Sequence, residues 1–175
     1  MKKTLLILLL VISCNKDGTQ DPNAGMPDTT NPGVEQSDST TPTKPTTPTA
    51  NWTEEFMTLV NNHRRDIGLR SLIHDEELGK IALIHSQNMA SGKIPMGHSG
   101  FSSRCDKARD ILGGGNLCSE NVAAGQKTPQ MAFTSWMNSS GHRANIEQPR
   151  VTHTGFAFAK SSSGKYYWTQ IFIER

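Results

Sequence analysis

The sequence has few aromatic residues, and its first fifty positions have none. The eleven Phe, Trp and Tyr residues make up 6% of 175 positions, and all six histidines also lie after residue 50. A segment that lacks aromatics and is rich in Thr, Pro, Ser and Asp has too little apolar surface to form a core. This absence excludes two globular domains and predicts one domain of ordinary size in residues 51–175.

Long apolar runs and a strong charge imbalance are absent as well. No stretch reaches the roughly 20 apolar residues of a membrane-spanning helix, which excludes a multi-pass membrane protein. The net charge is only +2 and no basic run occurs, so no nucleic-acid partner is expected. The HExxH, GxSxG, P-loop and EF-hand patterns are also missing, which removes the familiar signatures of hydrolases and of nucleotide- or calcium-binding proteins.

The N-terminus is typical of a secretory signal peptide, which we place at residues 1–13. Lys2 and Lys3 precede the apolar run of residues 5–12. The run ends in Val-Ile-Ser-Cys at residues 11–14, which resembles a bacterial lipobox. The resemblance implies that the chain is cut before Cys14 and that Cys14 carries lipids, whereas the alternative is a plain signal peptide with an incidental cysteine. Asn15 favours the outer membrane in a host with two membranes.

Residues 14–50 are predicted to be the lipidated cysteine followed by a disordered tether. The segment ends in TTPTKPTTPT, and Pro-rich chains prefer the extended polyproline II conformation. At about 3.1 Å per residue the tether reaches up to about 100 Å from its anchor. A recognition ligand or a glycan carrier is the alternative role. We therefore expect a bacterial cell-envelope lipoprotein, either periplasmic or surface-exposed, whose membrane partner is reached through Cys14.

The remaining residues predict three helices followed by a hairpin, which indicates the α+β class. The first helix has Thr53 as its N-cap and ends at Gly68, and the second runs from the Asp75 cap to Gly92. A third runs from Thr128 to Met137. Two strands, residues 153–160 and 165–173, are joined by the turn at 161–164.

Cys105 and Cys118 are predicted to form a disulfide. They are the two cysteines left after Cys14 is lipidated, an even number in an oxidising compartment. The bond closes a loop of 14 residues, which the chain-entropy model values at about 3 kcal/mol. The alternative, that both thiolates bind a metal with His98, is disfavoured because their spacing is not that of a zinc knuckle.

Three segments set polar residues among glycines, which permit close backbone approach. They are GHS, ENVAAG and WMNSSGHRANI at residues 97–99, 120–125 and 136–146. Together with NNHR at 61–64 before them and YWTQIF at 167–172 after them, they resemble in order the CAP superfamily (cysteine-rich secretory proteins, antigen 5 and pathogenesis-related 1), in its bacterial SCP-like branch. The resemblance implies an α-β-α sandwich with a small central antiparallel sheet. It also implies a cleft of two histidines and acidic residues, which in some members takes up a divalent metal such as zinc.

Carried over by motif, the cleft groups are His98, His142 and Glu120. Ser119 replaces the usual glycine before the glutamate, and Ser139 replaces the second acid of eukaryotic members. Two imidazoles and a carboxylate match the residue types of an open catalytic zinc site, so these three are candidate metal ligands and candidate catalytic residues. A metal-free alternative uses a serine nucleophile, Ser99 or Ser139. In the scaffolding alternative, Glu120 binds loop backbone and His142 caps the third helix.

The favoured function is a binding module for a lipid, cell-wall or protein ligand, because the acid set is incomplete. A metal-dependent hydrolase or peptidase using His98, Glu120 and His142 is the alternative, and a structural envelope protein is a third. His63 and His85 are expected in core or boundary positions, and Arg143 is expected to pair with a carboxylate. Asn145 and Gln170 are interpreted as scaffold.

Overall fold

The computed structural model describes residues 48–175, with side chains from Trp52 onward. The predicted signal peptide at residues 1–13, lipidated Cys14 and the tether up to residue 47 lie outside this range. Within it, no helix is both long enough and apolar enough to cross a membrane.

The described residues contain five helices and four strands. The helices are α1 (Pro48–Asp66), α2 (Glu76–Ala90), α3 (Phe101–Leu112), α4 (Pro129–Met137) and α5 (Ser140–Ile146). The strands are β1 (Ile73–His74), β2 (Cys118–Ala124), β3 (His153–Lys160) and β4 (Tyr166–Ile173).

Capping residues set the start of two helices as the sequence predicts. The Asp75 side chain accepts from the Leu78 amide at 2.9 Å, and Thr128 accepts from the Met131 amide at 3.2 Å. The prediction that Thr53 is the N-cap of the first helix is wrong, since α1 begins at Pro48. Proline is tolerated in a first helical turn, where its missing N–H has no partner to lose.

The sheet has the strand order β1-β3-β4-β2. The hairpin of β3 and β4 is confirmed, and β2 pairs antiparallel with β4. The short β1 pairs parallel with β3. The predicted order of helices followed by a hairpin omits strand β2, which lies between α3 and α4. The predicted α+β class is confirmed.

Two buried cores lie on opposite faces of the sheet, because neighbouring strand residues point to opposite sides. Trp168 and Phe172 of β4 join a core with residues of α1, α4 and α5. Ile171 and Ile173 join a second core with α2 and α3. This arrangement is the helix-sheet-helix sandwich that the sequence predicts.

The buried Arg64 of α1 fixes the end of α5. Its guanidinium donates to the carbonyls of Ile146 at 2.5 Å and Gln148 at 3.1 Å, and its Nε donates to the Arg70 carbonyl at 2.8 Å. The bonds to Ile146 and Gln148 satisfy carbonyl groups at and just beyond the last turn of the seven-residue α5. The short helix that carries His142 is thereby held against α1.

Helix α2 approaches strand β3 closely at Gly155. A Cβ atom at this position would overlap the backbone of Leu78 and Gly79, whereas a Cβ at Gly79 would meet the His74 ring at an ordinary 3.4 Å. A side chain at Gly155 would therefore push the helix away from the sheet.

These two glycines give a matched stability test. We expect Gly155→Ala to lower the free energy of unfolding by about 1–3 kcal/mol, as overpacking does. The control Gly79→Ala, inside α2, should be neutral or stabilising by up to about 1 kcal/mol, because alanine favours the helix. Urea unfolding of the purified chain measures both, and equal losses would contradict the close approach.

Candidate functional site

The centre of the site is the carboxylate of Glu120, which is buried on strand β2. Arg104 of α3 holds both of its oxygens, with Nε donating to Oε2 at 2.6 Å and Nη2 donating to Oε1 at 2.8 Å. Burial by itself raises the pKa of Glu120, but hydrogen bonds from His98 and Arg104 and the charge of Arg104 outweigh it, so the pKa lies below its usual range. The carboxyl is therefore ionised at neutral pH.

His98 is oriented by this carboxylate. Its Nδ1 lies 2.9 Å from Oε1 of Glu120. Because an ionised carboxylate only accepts, the neutral ring carries its proton on Nδ1. The Nε2 lone pair is then available to a ligand, and about a fifth of the side chain is exposed (21%). A carboxylate behind a histidine is the arrangement that fixes the tautomer of ligand-binding imidazoles in proteins.

A second, buried histidine supports the same loop. His85 of α2 donates from Nε2 to the Gly97 carbonyl at 2.8 Å, and the same nitrogen lies 3.9 Å from Oε1 of Glu120. Burial lowers the pKa of His85, and the Glu120 charge offsets this only in part. The expected core position of His85 is confirmed, and its contact with the loop that carries His98 is new.

His142 lies near the start of α5. Its backbone carbonyl accepts from Asn121 at 3.0 Å, and Asn145 donates to the Asn121 side chain at 2.8 Å. The ring lies 6.3 Å from that of Trp136. Burial and then the nearby charge of His98 lower the pKa of His142, so the ring is neutral at pH 7. The scaffold interpretation of Asn145 agrees with these contacts.

The three motif residues play different parts in this geometry. Both oxygens of Glu120 already accept hydrogen bonds from His98 and Arg104, and its carboxylate orients His98 in this structure. Across residues 48–175 no three His, Cys, Asp or Glu side chains form a group suited to a metal ion. The two imidazoles keep the donor chemistry that suits zinc, copper or nickel. A metal role for His98, Glu120 and His142 stays a prediction.

Other predicted side chains fall outside the cleft chemistry. The Ser139 hydroxyl is buried without a hydrogen-bond partner in the described part of the chain, so no base activates it. The prediction that Arg143 pairs with a carboxylate is wrong, because the Nε of Arg143 donates to the Met137 carbonyl at 2.9 Å. Gln170 is buried and donates to Thr154 at 3.1 Å, as a scaffold residue does. His63 is a boundary residue, and its Nε2 lies 2.8 Å from Oε1 of Glu147.

The predicted disulfide is confirmed. Cys105 of α3 and Cys118 of β2 are bonded at an S–S distance of 2.02 Å. Cys105 directly follows Arg104, and Cys118 lies two residues before Glu120. The bond therefore joins the helix and the strand that carry the ion pair.

The sequence did not predict the part of Arg104 in this site, and it predicted His85 only as a core or boundary residue. Arg104 lies on α3, a helix that the periodicity did not predict. The available signal was its position next to a cysteine of the predicted disulfide. For His85 the signal was an imidazole on the buried face of α2, the same face as Leu78 and Met89.

Comparison with known proteins identifies the family. A family model described as the cysteine-rich secretory protein family, CAP, matches residues 57–172. The chain belongs to the CAP family. YkwD of Bacillus subtilis is 35% identical over 144 residues, which are 81% of this chain and 54% of that protein. YlbC of the same organism is 28% identical over 126 residues, 70% of this chain and 34% of that protein. The CAP chain thus spans about half or less of the length of these relatives.

Solved structures agree with this fold. An extracellular SCP-domain protein from Bacillus anthracis is 25% identical with a TM-score of 0.62, covering 76% of this chain and 45% of that one. An outer surface protein from Borrelia burgdorferi has a TM-score of 0.61 at 19% identity, covering 70% of this chain and 92% of that one. The second likeness concerns the fold alone. The Bacillus anthracis protein is extracellular, which is consistent with an envelope or secreted location for this CAP domain.

The buried histidines make stability depend on pH. In the unfolded chain a histidine titrates near 6.5, whereas the folded pKa values of His85 and His142 are lowered. As pH falls below about 6.5, the unfolded state binds protons that the folded state does not, so the free energy of unfolding decreases. Carboxylates such as Glu120 contribute only at lower pH.

We expect urea unfolding between pH 7.5 and 5.5 to show this decrease and His85→Gln to weaken it. The control Ile81→Val lowers stability on the same helix without removing a titratable group, so its pH slope should equal that of the wild type. If the free energy of unfolding of His85→Gln changed with pH as steeply as that of the wild type, the pH dependence could not be assigned to His85.

Proposed function

We propose that this chain is an exported CAP-domain binding module whose cleft contacts its ligand through His98 and His142. The observation that carries the proposal is the oriented imidazole of His98, with its Nδ1 on an ionised Glu120 and its Nε2 free. His142 of α5 adds a second imidazole, which is neutral at pH 7 because burial lowers its pKa. Such a pair suits ligands that bring a metal ion or hydrogen-bond donors.

Binding is favoured over hydrolysis by the state of Glu120. A general base needs a carboxylate that can accept a proton from water. Both oxygens of Glu120 are instead engaged by Arg104 and His98. Ser139 stands where a second acid would lie, so no free carboxylate in the motifs replaces Glu120.

The cleft proposal is tested with Zn²⁺ as a probe of imidazole lone pairs. We expect ring signals of His98 and His142 to shift first when the full chain is titrated, as followed by ¹H–¹⁵N NMR spectra. His98→Ala and His142→Ala should each weaken binding at least about tenfold, because half of the protein donors are lost.

The control His153→Gln removes a histidine of β3 and should bind as the wild type does. Equal shifts at all six histidines would contradict a cleft-specific site. Robust hydrolase turnover that is lost in His142→Ala would overturn binding as the function.

We further propose that lipids on Cys14 anchor the module in the bacterial envelope, and in the outer membrane where the host has two. The lipobox-like residues 11–14 and the Thr- and Pro-rich tether support this location. Several acyl chains on one residue suffice for stable anchoring, because each buried methylene contributes about 0.8 kcal/mol.

Metabolic labelling with an alkyne palmitate analogue tests the anchor. We expect the full chain to be labelled in the membrane fraction of a bacterial host, and Cys14→Ala to remain unlabelled. Ser13→Ala, which keeps a small residue before the cysteine, is the matched control and should be labelled. An unlabelled wild type would refute the anchor.

A further inference from the structure

The loop that carries His98 has little regular structure of its own. It joins α2 to α3, and its three glycines have positive φ, 75° at Gly92, 147° at Gly97 and 78° at Gly100. At His98 itself, the Phe101 amide donates to the His98 carbonyl at 3.0 Å. The neighbouring carbonyls of Gly97 and Ser99 are held by side chains of the flanking helices, His85 of α2 at 2.8 Å and Arg104 of α3 at 2.7 Å. The position of the His98 ring therefore depends on those side chains.

Arg104 contacts both the loop and the strand behind it. Its Nη1 donates to the Ser99 carbonyl at 2.7 Å, while Nε and Nη2 hold the two oxygens of Glu120. The planar guanidinium serves both partners at once, which a lysine ammonium cannot do with the same geometry. Arg104 thus fixes the distance between the loop and β2 across which His98 meets Glu120.

Arg104 also determines the charge on Glu120. A carboxyl that is about 99% buried (side-chain exposure 1%) is costly to ionise without a paired cation. With Arg104 in place the carboxylate is an acceptor for Nδ1 of His98. Without it, a protonated carboxyl offers a donor, and the preference of His98 for one tautomer is lost.

The position of Arg104 in turn rests on the disulfide. The connection between α3 and β2 contains Gly113, Gly114 and Gly115, all at positive φ. The connection is tied to the last turn of α3, by the Gly114 amide on the Arg109 carbonyl at 3.0 Å and by Arg109 Nε on the Gly115 carbonyl at 3.1 Å. These bonds do not reach the first turn, where Arg104 lies. The Cys105–Cys118 bond instead joins the residue after Arg104 to the strand of Glu120.

We propose that Arg104 is the positioning residue of this cleft and that the Cys105–Cys118 disulfide, formed after export, completes it. In forming the bond the two thiols lose two protons and two electrons. The disulfide of a thiol oxidant outside the cytoplasm accepts them and becomes a dithiol. Where thiols are kept reduced, as in the cytosol, the cleft holds His98 loosely and binds weakly.

The first test needs no ligand. At pH 8, long-range ¹H–¹⁵N spectra of the oxidised full chain should show His98 protonated on Nδ1. In Arg104→Gln, which removes the paired cation, the ring should populate both tautomers. Arg150→Gln is the matched control, since Arg150 also holds a glutamate, Glu174 at 2.7 Å, but on the exposed surface. Its His98 signals should equal those of the wild type.

The second test addresses the disulfide. Reduction of the wild type with dithiothreitol should produce the same mixed tautomers, and reoxidation should restore one. For Zn²⁺ binding the double variant Cys105→Ala/Cys118→Ala is used, because free thiols bind zinc themselves. We expect its dissociation constant to rise about tenfold, the usual effect of losing support behind a ligand.

The outcomes separate this proposal from the proposed function. A wild type that binds no Zn²⁺ would contradict the proposed function of the cleft as a site for imidazole ligands. The tautomer of His98 would still decide the role of Arg104. A wild-type His98 protonated on Nε2 would overturn the positioning role even where the variants fail to fold. Unchanged tautomers in folded Arg104→Gln would do the same, and unchanged tautomers after reduction would overturn the role of the disulfide.

Discussion

The buried ion pair of Arg104 and Glu120 is the interaction on which the cleft depends. A carboxylate loses several kcal/mol of hydration when it leaves water, so it is retained only where close cationic or donor groups surround it. Arg104, His98 and His85 all approach Glu120, at 2.6, 2.9 and 3.9 Å. Each of these groups belongs to a different part of the chain. The charge of one residue therefore brings α2, α3 and the loop between them to strand β2.

Strand β2 positions both halves of the cleft, because its successive residues point to opposite sides of the sheet. Glu120 orients His98 on the side of α2 and α3, and Asn121 binds the His142 carbonyl on the side of α5. As an edge strand, β2 also has outward carbonyl groups. Those of Glu120 and Val122 accept from Asn145 at 3.4 Å and from Trp136 at 3.3 Å. The contacts that cover the edge thus also hold α4 and α5 beside it.

The sequence was informative where a residue type has a strong local meaning. Capping side chains such as Asp75 and the alternating aromatics of the hairpin predicted their elements. Helix α3 was missed because its buried residues are two small ones and a leucine, Cys105, Ala108 and Leu112, which give a weak apolar period. Arg104 was missed with it. Its pairing with Glu120 spans 16 residues, and no local pattern encodes such a contact.

The disulfide illustrates why the place of a bond matters as well as its loop length. Closing the loop between Cys105 and Cys118 is worth about 3 kcal/mol by chain entropy wherever it lies. At this place it also joins α3 to β2 across the glycine-rich connection between them. The neighbour of one cysteine is Arg104, and the other lies on the strand of Glu120. Stability and the orientation of His98 thus depend on the same covalent link. A cleft assembled in this way is preformed, and a ligand that meets it need not supply the free energy to order it.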